Sequence, residues 1–441
     1  MTECTRQPLL FSSLGRQQVV GDFDGGRLTS DAGALLLREV DRRIGLTAAL
    51  AEALTDPRDP AKIRHDRHTL LAQRIFGIAL GYEDLNDHLT LRQDPLFAVL
   101  ADRRPDPDKP LASPSTFSRW ENVATRGSVV RMHQVFVEQF LAAHRRPPKE
   151  IVLDFDATDD PVHGTQEGRF FHGFYGNYCF LPLYVFCGDQ LLVAYLRPSN
   201  IDAAKHARAI LKLLVQRIRR DWPKTRIIFR ADSGFCRWRL LRWCERHNVG
   251  YVVGLARNKV LERKAARFME AAEKGYQRTR RKQRRFHEIR YAAKTWDRKR
   301  RIIVKAERLP EGPNCRFVIT NLDESPEQIY DGLYTARGNM ENRIKEQQLD
   351  LFADRTSCHR FAANQFRLLL ASAAYVLMSH LRRVALKRTK LARAQVRTIR
   401  LKLLKVAARV VTSVRRLVFH LSSSYPDQQL FRRIVARLVL N

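Results

Sequence analysis

Acidic side chains are in short supply in this chain: 46 Asp and Glu stand against 79 Lys and Arg over 441 residues, a formal net charge of +33. That deficit points to a polyanionic partner, of which nucleic acid is the commonest. The chain is still 44% apolar, which excludes a disordered basic tail and puts the charge on a folded surface. An uninterrupted apolar run of roughly 18 residues is missing, as is a signal-peptide pattern, so the expectation is a soluble, cytoplasmic protein with no membrane partner. A basic protein held at a membrane surface is the alternative that composition leaves open. The seven cysteines (4, 179, 187, 236, 244, 315 and 358) are odd in number and contain no Cys-x-x-Cys pair. Reduced, mostly buried thiols are therefore expected, and a zinc site is not.

What is present is best organised around IVLDFDATDD, residues 151–160. Ile151, Val152, Leu153 and Phe155 make an apolar, β-favouring run, and Asp154 and Asp156 share one strand face because side chains alternate with a period of two. A carboxylate at the end of a central strand and close to a like charge is costly unless a cation sits against it. RIIFRAD, ending at Asp232, repeats the pattern and is followed by a Ser-Gly turn and a helical RWRLLRWCERH. That puts Asp232 where open α/β sheets collect ligands. In YTARGNMENRIKEQQ, Tyr334, Arg337, Glu341, Lys345 and Gln348 recur at helical spacing and form one polar stripe. Two strand-end aspartates and a helix-borne glutamate are oxygen donors that suit Mg²⁺ or Mn²⁺ better than zinc. Taken singly, each acid has a plainer reading. Asp232 could cap the next helix, Glu341 could pair with Lys345, and Asp159-Asp160 before Pro161 could be a turn.

Around these motifs, Ser30 to about Leu100 reads as helical, with Ala32, Leu35, Leu36 and Val40 on one face. The first 27 residues form a polar leader with possible edge-strand character. SPSTFSRWENV offers an N-cap Ser and a short helix carrying Thr116, Ser118, Arg119 and Asn122, either a DNA-recognition helix or a capped connector. A Gly-aromatic loop, TQEGRFFHGFYGNY, separates the acidic strand from CFLPLYVF and QLLVAYLR. The helix leading into the Asp232 strand has apolar positions Ala209, Ile210, Leu213, Leu214 and Ile218. The order β-β-β-α-β-α-β implies an α/β fold with a mixed sheet. Residues 257–326 read as a basic β-rich insertion, in which Arg280, Arg281, Lys282, Arg284 and Arg285 with interleaved aromatics suit a DNA backbone. CHRFAANQFRLLLASAAYVLMSHLRR reads as an apolar helix under the sheet, and the chain beyond Arg382 as helical and basic to the end. His163, His172, His206 and His359 sit in unlike contexts that favour loop or packing roles.

Taken together, LDFDATDDPVHG, YLRPSNIDAAKHA, RADSGFCRWRLLRWCE and ARGNMENRIKEQQLDLFADRTSCHRFAANQFRLLL resemble the DDE transposases of bacterial insertion sequences. Within them the similarity is to the IS thirteen-eighty group, in the assemblage with a Tyr-Arg-Glu-Lys signature. The resemblance implies an RNase H-like core and a two-metal phosphoryl-transfer site of Asp156, Asp232 and Glu341, with Asp154 a rival to Asp156, holding Mg²⁺ or, in its place, Mn²⁺. It implies that Tyr334 and Arg337 hold a DNA phosphate. The signature lysine has two candidates, Lys345 one turn past Glu341 and Gln348 seven residues past it. The segments expected are a mainly helical DNA-binding region (1–147), a catalytic core in two parts (148–256 and 327–381) around the insertion (257–326), and a basic helical region (382–441). The function implied is cut-and-paste transposition: binding of terminal inverted repeats, metal-dependent cleavage and strand transfer into target DNA, by a homodimer. A nuclease of the same core without strand transfer, or a non-catalytic basic nucleic-acid-binding protein, are the alternatives.

Overall fold

The computed structural model describes residues 8–439; Cys4 and the start of the polar leader lie outside the described residues. The chain forms two compact units. One takes the segments ending at Thr47, running Arg58–Arg119 and starting at His380; the other takes Ala48–Pro57 and Trp120–Ser379.

The larger unit is built on an eight-stranded mixed sheet. In chain order its elements are α1 (Arg126–Ala142), β1 (Glu150–Ala157), β2 (Asp160–Pro161), β3 (Phe170–His172), β4 (Asn177–Phe180), β5 (Leu183–Cys187) and β6 (Gln190–Tyr195). Then come α2 (Ala207–Asp221), β7 (Arg226–Ala231), α3 (Trp238–Arg246), β8 (Gly250–Leu255), α4 (Lys259–Thr279), β9 (Gln283–Tyr291), β10 (Arg300–Leu309) and β11 (Gly312–Thr320). A helical run from Gln328 to Asp350 contains the regular turn α5 (Gly338–Lys345), and α6 (Phe361–Val384) follows. The sheet order is β9-β10-β11-β8-β7-β1-β5-β6, with β2-β4-β3 a separate small sheet. Only β1–β7 and β7–β8 pair in parallel within the large sheet. Those two junctions require crossovers, which α2 and α3 supply.

Alternation along β1 sorts its side chains. Ile151, Leu153 and Phe155 enter a core with Ile227, Phe229 and Val253. The other face carries Val152, packed with Ile228, Val252, Ile303 and Tyr330. Asp154 and Asp156 lie on this second face, as their parity requires.

Several expectations need correction. Residues 257–326 do not make a β-rich insertion throughout: they start with the 21-residue α4, capped by Asn258, whose side chain accepts from the N–H groups of Val260 and Leu261. Their strands join the same sheet as the acids, since β11 pairs with β8. In α2 the buried positions are Ala207, Leu211, Leu214, Val215 and Ile218, while Leu213 is exposed. By length and composition alone the apolar α6 could cross a membrane, but most of its apolar stretch is buried in protein. Gln365 on it accepts a hydrogen bond from Leu196 N and donates to Ala194 O, so α6 lies along β6.

The smaller unit joins both ends of the chain. Beyond Arg382 the structure is not helical throughout: Ala408–Thr412 and Leu417–Leu421 form an antiparallel hairpin, and Ala408–Thr412 also pairs with Leu28–Thr29. The leader contributes a hairpin, Leu9–Leu14 with Gln17–Gly21. Some of the basic residues near the C-terminus serve this unit internally. Lys405 Nζ lies 2.6 Å from the buried Asp31 and donates to Tyr82 Oη at 3.1 Å, and Arg400 Nε donates to Ala79 O. The six described cysteines are free thiols, but only Cys179 and Cys244 are buried; Cys187, Cys236, Cys315 and Cys358 are partly exposed, so burial is less general than expected.

Candidate acid site

β1, β7 and the helical run Gln328–Asp350 bring the candidate acids together. Asp156 is the second-to-last residue of β1, and Asp232 directly follows β7. Asp232 does cap the next turn, accepting from Gly234 N at 2.9 Å. Capping leaves its second oxygen for other work, so the plainer reading and the functional one coexist.

Arg337 is the cation at this site. Its Nη1 donates to Asp156 Oδ2 at 3.1 Å and its Nη2 to Glu341 Oε1 at 2.6 Å. Glu341 therefore pairs one turn back with Arg337, not forward with Lys345. Burial pushes the Asp156 carboxyl up to about 7; Arg337 opposes that rise, while the charges of Asp232 and Glu341 add to it. A carboxyl so placed is short of positive charge even with a guanidinium beside it. Among the described residues no three His, Cys, Asp or Glu side chains stand close enough to hold an ion as they are. The donor set nonetheless fits a hard divalent cation: carboxylates from three separate elements, mutually repelling, with one arginine between two of them.

Asp154 is placed differently. Both its oxygens accept from Arg230, the contact from Nη2 to Oδ2 being 2.6 Å, and Arg230 Nη1 donates to Leu333 O at 2.5 Å. Burial raises this carboxyl and Arg230 opposes the rise. Asp156, not Asp154, is thus the β1 acid that faces Asp232 and Glu341. Sequence reading missed Arg230, although it sits in the same RAD motif as Asp232; only the parallel register, Arg230 opposite Asp154, brings the two together.

The polar stripe on the Glu341 helix divides. Tyr334 and Arg337 are half-buried against the acids, while Glu341 and Lys345 are exposed. Tyr334 closes over β8 at Gly254, where a Cβ would lie 2.6 Å from the tyrosine oxygen, 2.9 Å from Ser233 N and 3.2 Å from Asp232 C. That glycine admits both the ring and the Asp232 turn. Gln348 turns to the chain after β1, donating to Asp159 O at 3.0 Å and to Asp160 Oδ1 at 2.8 Å. Asp160 is not a simple turn residue: it is buried, paired to Phe180 across β2 and β4, and held well above the usual carboxylate range by burial.

The basic candidates lie elsewhere. Arg280, Arg281 and Lys282 are exposed at the α4–β9 junction, and Arg284 and Arg285 are exposed on β9, the outermost strand of the sheet. Lys282 reaches Glu307 at 3.0 Å, and Arg284 pairs with Asp331 while lying 4.7 Å over the Phe286 ring. Arg119 is exposed on the Pro114–Glu121 helix. The four histidines singled out do not converge: His163, His206 and His359 are exposed, and the His172 ring lies tilted against that of Tyr175, 4.9 Å between centroids.

The family model described as transposase DDE domain group 1 matches residues 11–440. No curated protein matches the chain. Among solved structures, the piggyBac transposase synaptic complex with hairpin DNA is similar over 86% of this chain and 81% of its own, at 10% identity and a TM-score of 0.41.

Proposed function

Since the chain belongs to the DDE transposase family, group 1, we propose that it binds the terminal inverted repeats of a bacterial insertion sequence of the IS thirteen-eighty group, cleaves at the boundary and joins the freed 3′ end to target DNA. The observation that carries this reading is the convergence of Asp156, Asp232 and Glu341, far apart in sequence, around Arg337. The core would be RNase H-like, with both acid-bearing strands in its parallel part.

Asp156 and Asp232 would hold two Mg²⁺ or Mn²⁺ ions and Glu341 would share the second. Bound there, the ions supply an activated water or 3′-hydroxyl on one side of phosphorus and neutralise the leaving oxygen on the other. Arg337 bridges two of the acids and is a cation within reach of a phosphate; with Tyr334 beside it, it would fix a DNA phosphate at the acids without reading sequence. Lys345 is the better candidate for the signature lysine, because it is exposed on the same helix whereas Gln348 is spent on Asp159 and Asp160. The charge of +33, with the arginines of 280–285 on an exposed edge, supports a long DNA footprint. A homodimer that joins two element ends follows from the resemblance, and action in the cytoplasm is the reading of the sequence pattern.

The test uses the DNA flanking the gene. A labelled fragment carrying the inverted repeat is incubated with the protein and Mg²⁺ or Mn²⁺, with Asp232→Ala as control. Metal-dependent nicking at the repeat boundary and joining to a second DNA, both absent from the control, are expected. Cleavage without joining would leave a nuclease. Binding without cleavage would leave a basic DNA-binding protein.

A further inference from the structure

The Gly-aromatic loop that follows the acidic strand has no role in the reading above, and its structure gives it one. β3 and β4 form a hairpin whose tip is Gly173–Gly176, the last glycine having a φ of +68°. The hairpin is rooted beside the acids. Its β4 pairs with β2, which begins at Asp160, four residues past Asp156, and Asn177 Nδ2 donates to Asp159 Oδ2 at 3.2 Å. Ser199 Oγ donates to Phe170 O and Glu167 N to His359 O, so the base is held on both sides.

Hydrophobic side chains on this hairpin face outward. Phe170, Phe171, Phe174 and Tyr178 are exposed, Phe174 at 84%. Burying such rings in a core would stabilise the fold by about 1.5–3 kcal/mol each, so their exposure calls for a partner. Phe171 and Tyr178 meet edge to face across the strands, with ring centroids 5.6 Å apart, and Phe174 meets Tyr175 at 5.0 Å. The Arg169 guanidinium lies 4.7 Å over the Tyr178 ring. Tyr175, next to Phe174 at the tip, is half-buried and lies within electrostatic reach of Asp159, Asp156 and Asp232.

Aromatic rings interleaved with arginine, beside the acids at which Arg337 and Tyr334 would fix a DNA phosphate, have the chemistry of a stacking platform for unpaired bases, each of which offers a flat apolar face to rings and guanidinium. A paired base inside a duplex cannot present that face. We propose that the Phe170–Tyr178 hairpin takes up unpaired bases of the DNA strand next to the phosphate at Asp156 and Asp232, with Phe174 at the tip and Tyr178 under Arg169 as its principal stacking residues. This rests on the functional reading above. It adds that the strand ends must open for the phosphate to reach the acids, and that the hairpin stabilises the opened form.

The experiment compares two duplexes carrying the inverted repeat that flanks the gene, one fully paired and one with two mismatched pairs at the boundary. The Phe174→Ala, Tyr178→Ala double variant, whose altered side chains are exposed, is compared with the wild type and with Asp232→Ala in Mg²⁺. Cleavage of the paired duplex is expected to fall about tenfold or more, from the loss of two stacking contacts, with the mismatched duplex cleaved within about threefold of wild type because its bases are already free. Equal loss on both duplexes, or loss on neither, overturns the proposal. So does a change in molar mass in solution with cleavage intact, which would make the hairpin a contact between copies of the chain. If Asp232→Ala cleaves both duplexes like the wild type, the acid-site reading fails, whatever the hairpin variants do.

Discussion

Asp154 and Arg230 meet side by side on neighbouring parallel strands and form a two-point ion pair, with side chains only 4% and 9% exposed. Arg230 also holds Leu333 O, one residue before Tyr334, so the pair ties the strand that carries Asp156 to the run that carries Arg337 and Glu341. Breaking it by Asp154→Ala strands a buried guanidinium and is expected to cost about 3–5 kcal/mol in denaturant unfolding. An Asp154→Asn, Arg230→Gln double variant should recover a good part of that loss. If Asp154→Asn instead unfolds like the wild type but loses divalent-ion binding by calorimetry, Asp154 is a metal ligand and the positioning role is wrong.

Asp156 makes the metal-free fold pH-dependent in an uncommon direction. Its folded value of about 7 lies above the ordinary aspartate value, so between about pH 4 and pH 7 the unfolded chain releases a proton that the folded chain keeps. This group therefore lowers stability as pH rises through that window and adds no further change above it. Asp156→Asn should gain on the wild type in EDTA at pH 8 and gain little at pH 4. The same gain at both, from denaturation midpoints, would mean that the carboxyl is not raised.

Gly254→Ala tests the fit of Tyr334 over the Asp232 turn. The new methyl would meet backbone at Ser233 N and Asp232 C as well as the tyrosine oxygen, and backbone cannot swing aside as a side-chain end can. Cleavage should fall at least tenfold with DNA affinity retained. Adding Tyr334→Phe should restore less than half of that loss, because two of the three close contacts remain. Full recovery in the double variant would show the tyrosine to be the whole obstacle.

Arg281, two residues before the outermost strand, and Arg285, near its start, are both exposed. If each neutralises one phosphate, the Arg281→Ala, Arg285→Ala variant should reduce the slope of log affinity against log salt by about 2, equally for specific and unrelated duplexes. An unchanged slope, from fluorescence anisotropy over a salt series, would take this edge out of the DNA path.

The acid-bearing strands were legible because period-two alternation fixes which residues share a face, and a carboxylate there needs a cation whatever the rest of the chain does. The partner of Asp154 was not, since it depends on the register between β1 and β7, a property of two strands together. The α4 helix was obscured by its own charge: Leu261, Ala265 and Ala272 keep helical spacing, but Arg and Lys fill the gaps. α2 shows the opposite difficulty, with more apolar residues than its buried stripe requires, so the sequence offered two faces and packing took Leu211 and Val215 over Leu213. The hairpin of Ala408–Thr412 and Leu417–Leu421 read as helix because its Val and Leu fit either period. Its other partner, Leu28–Thr29, lies at the far end of the chain.

The edge strand β9 and the acid strand β1 belong to one continuous ladder, five strand steps apart. At about 4.8 Å per step the two strands lie roughly 24 Å apart along the ladder, close to seven base pairs of duplex rise. Backbone hydrogen bonds set that length, not a hinge or a linker. A duplex anchored on the arginines of the edge would thus have its cut site measured out by the protein in whole strands, and an insertion of one strand in the ladder would move the cut by more than one base pair.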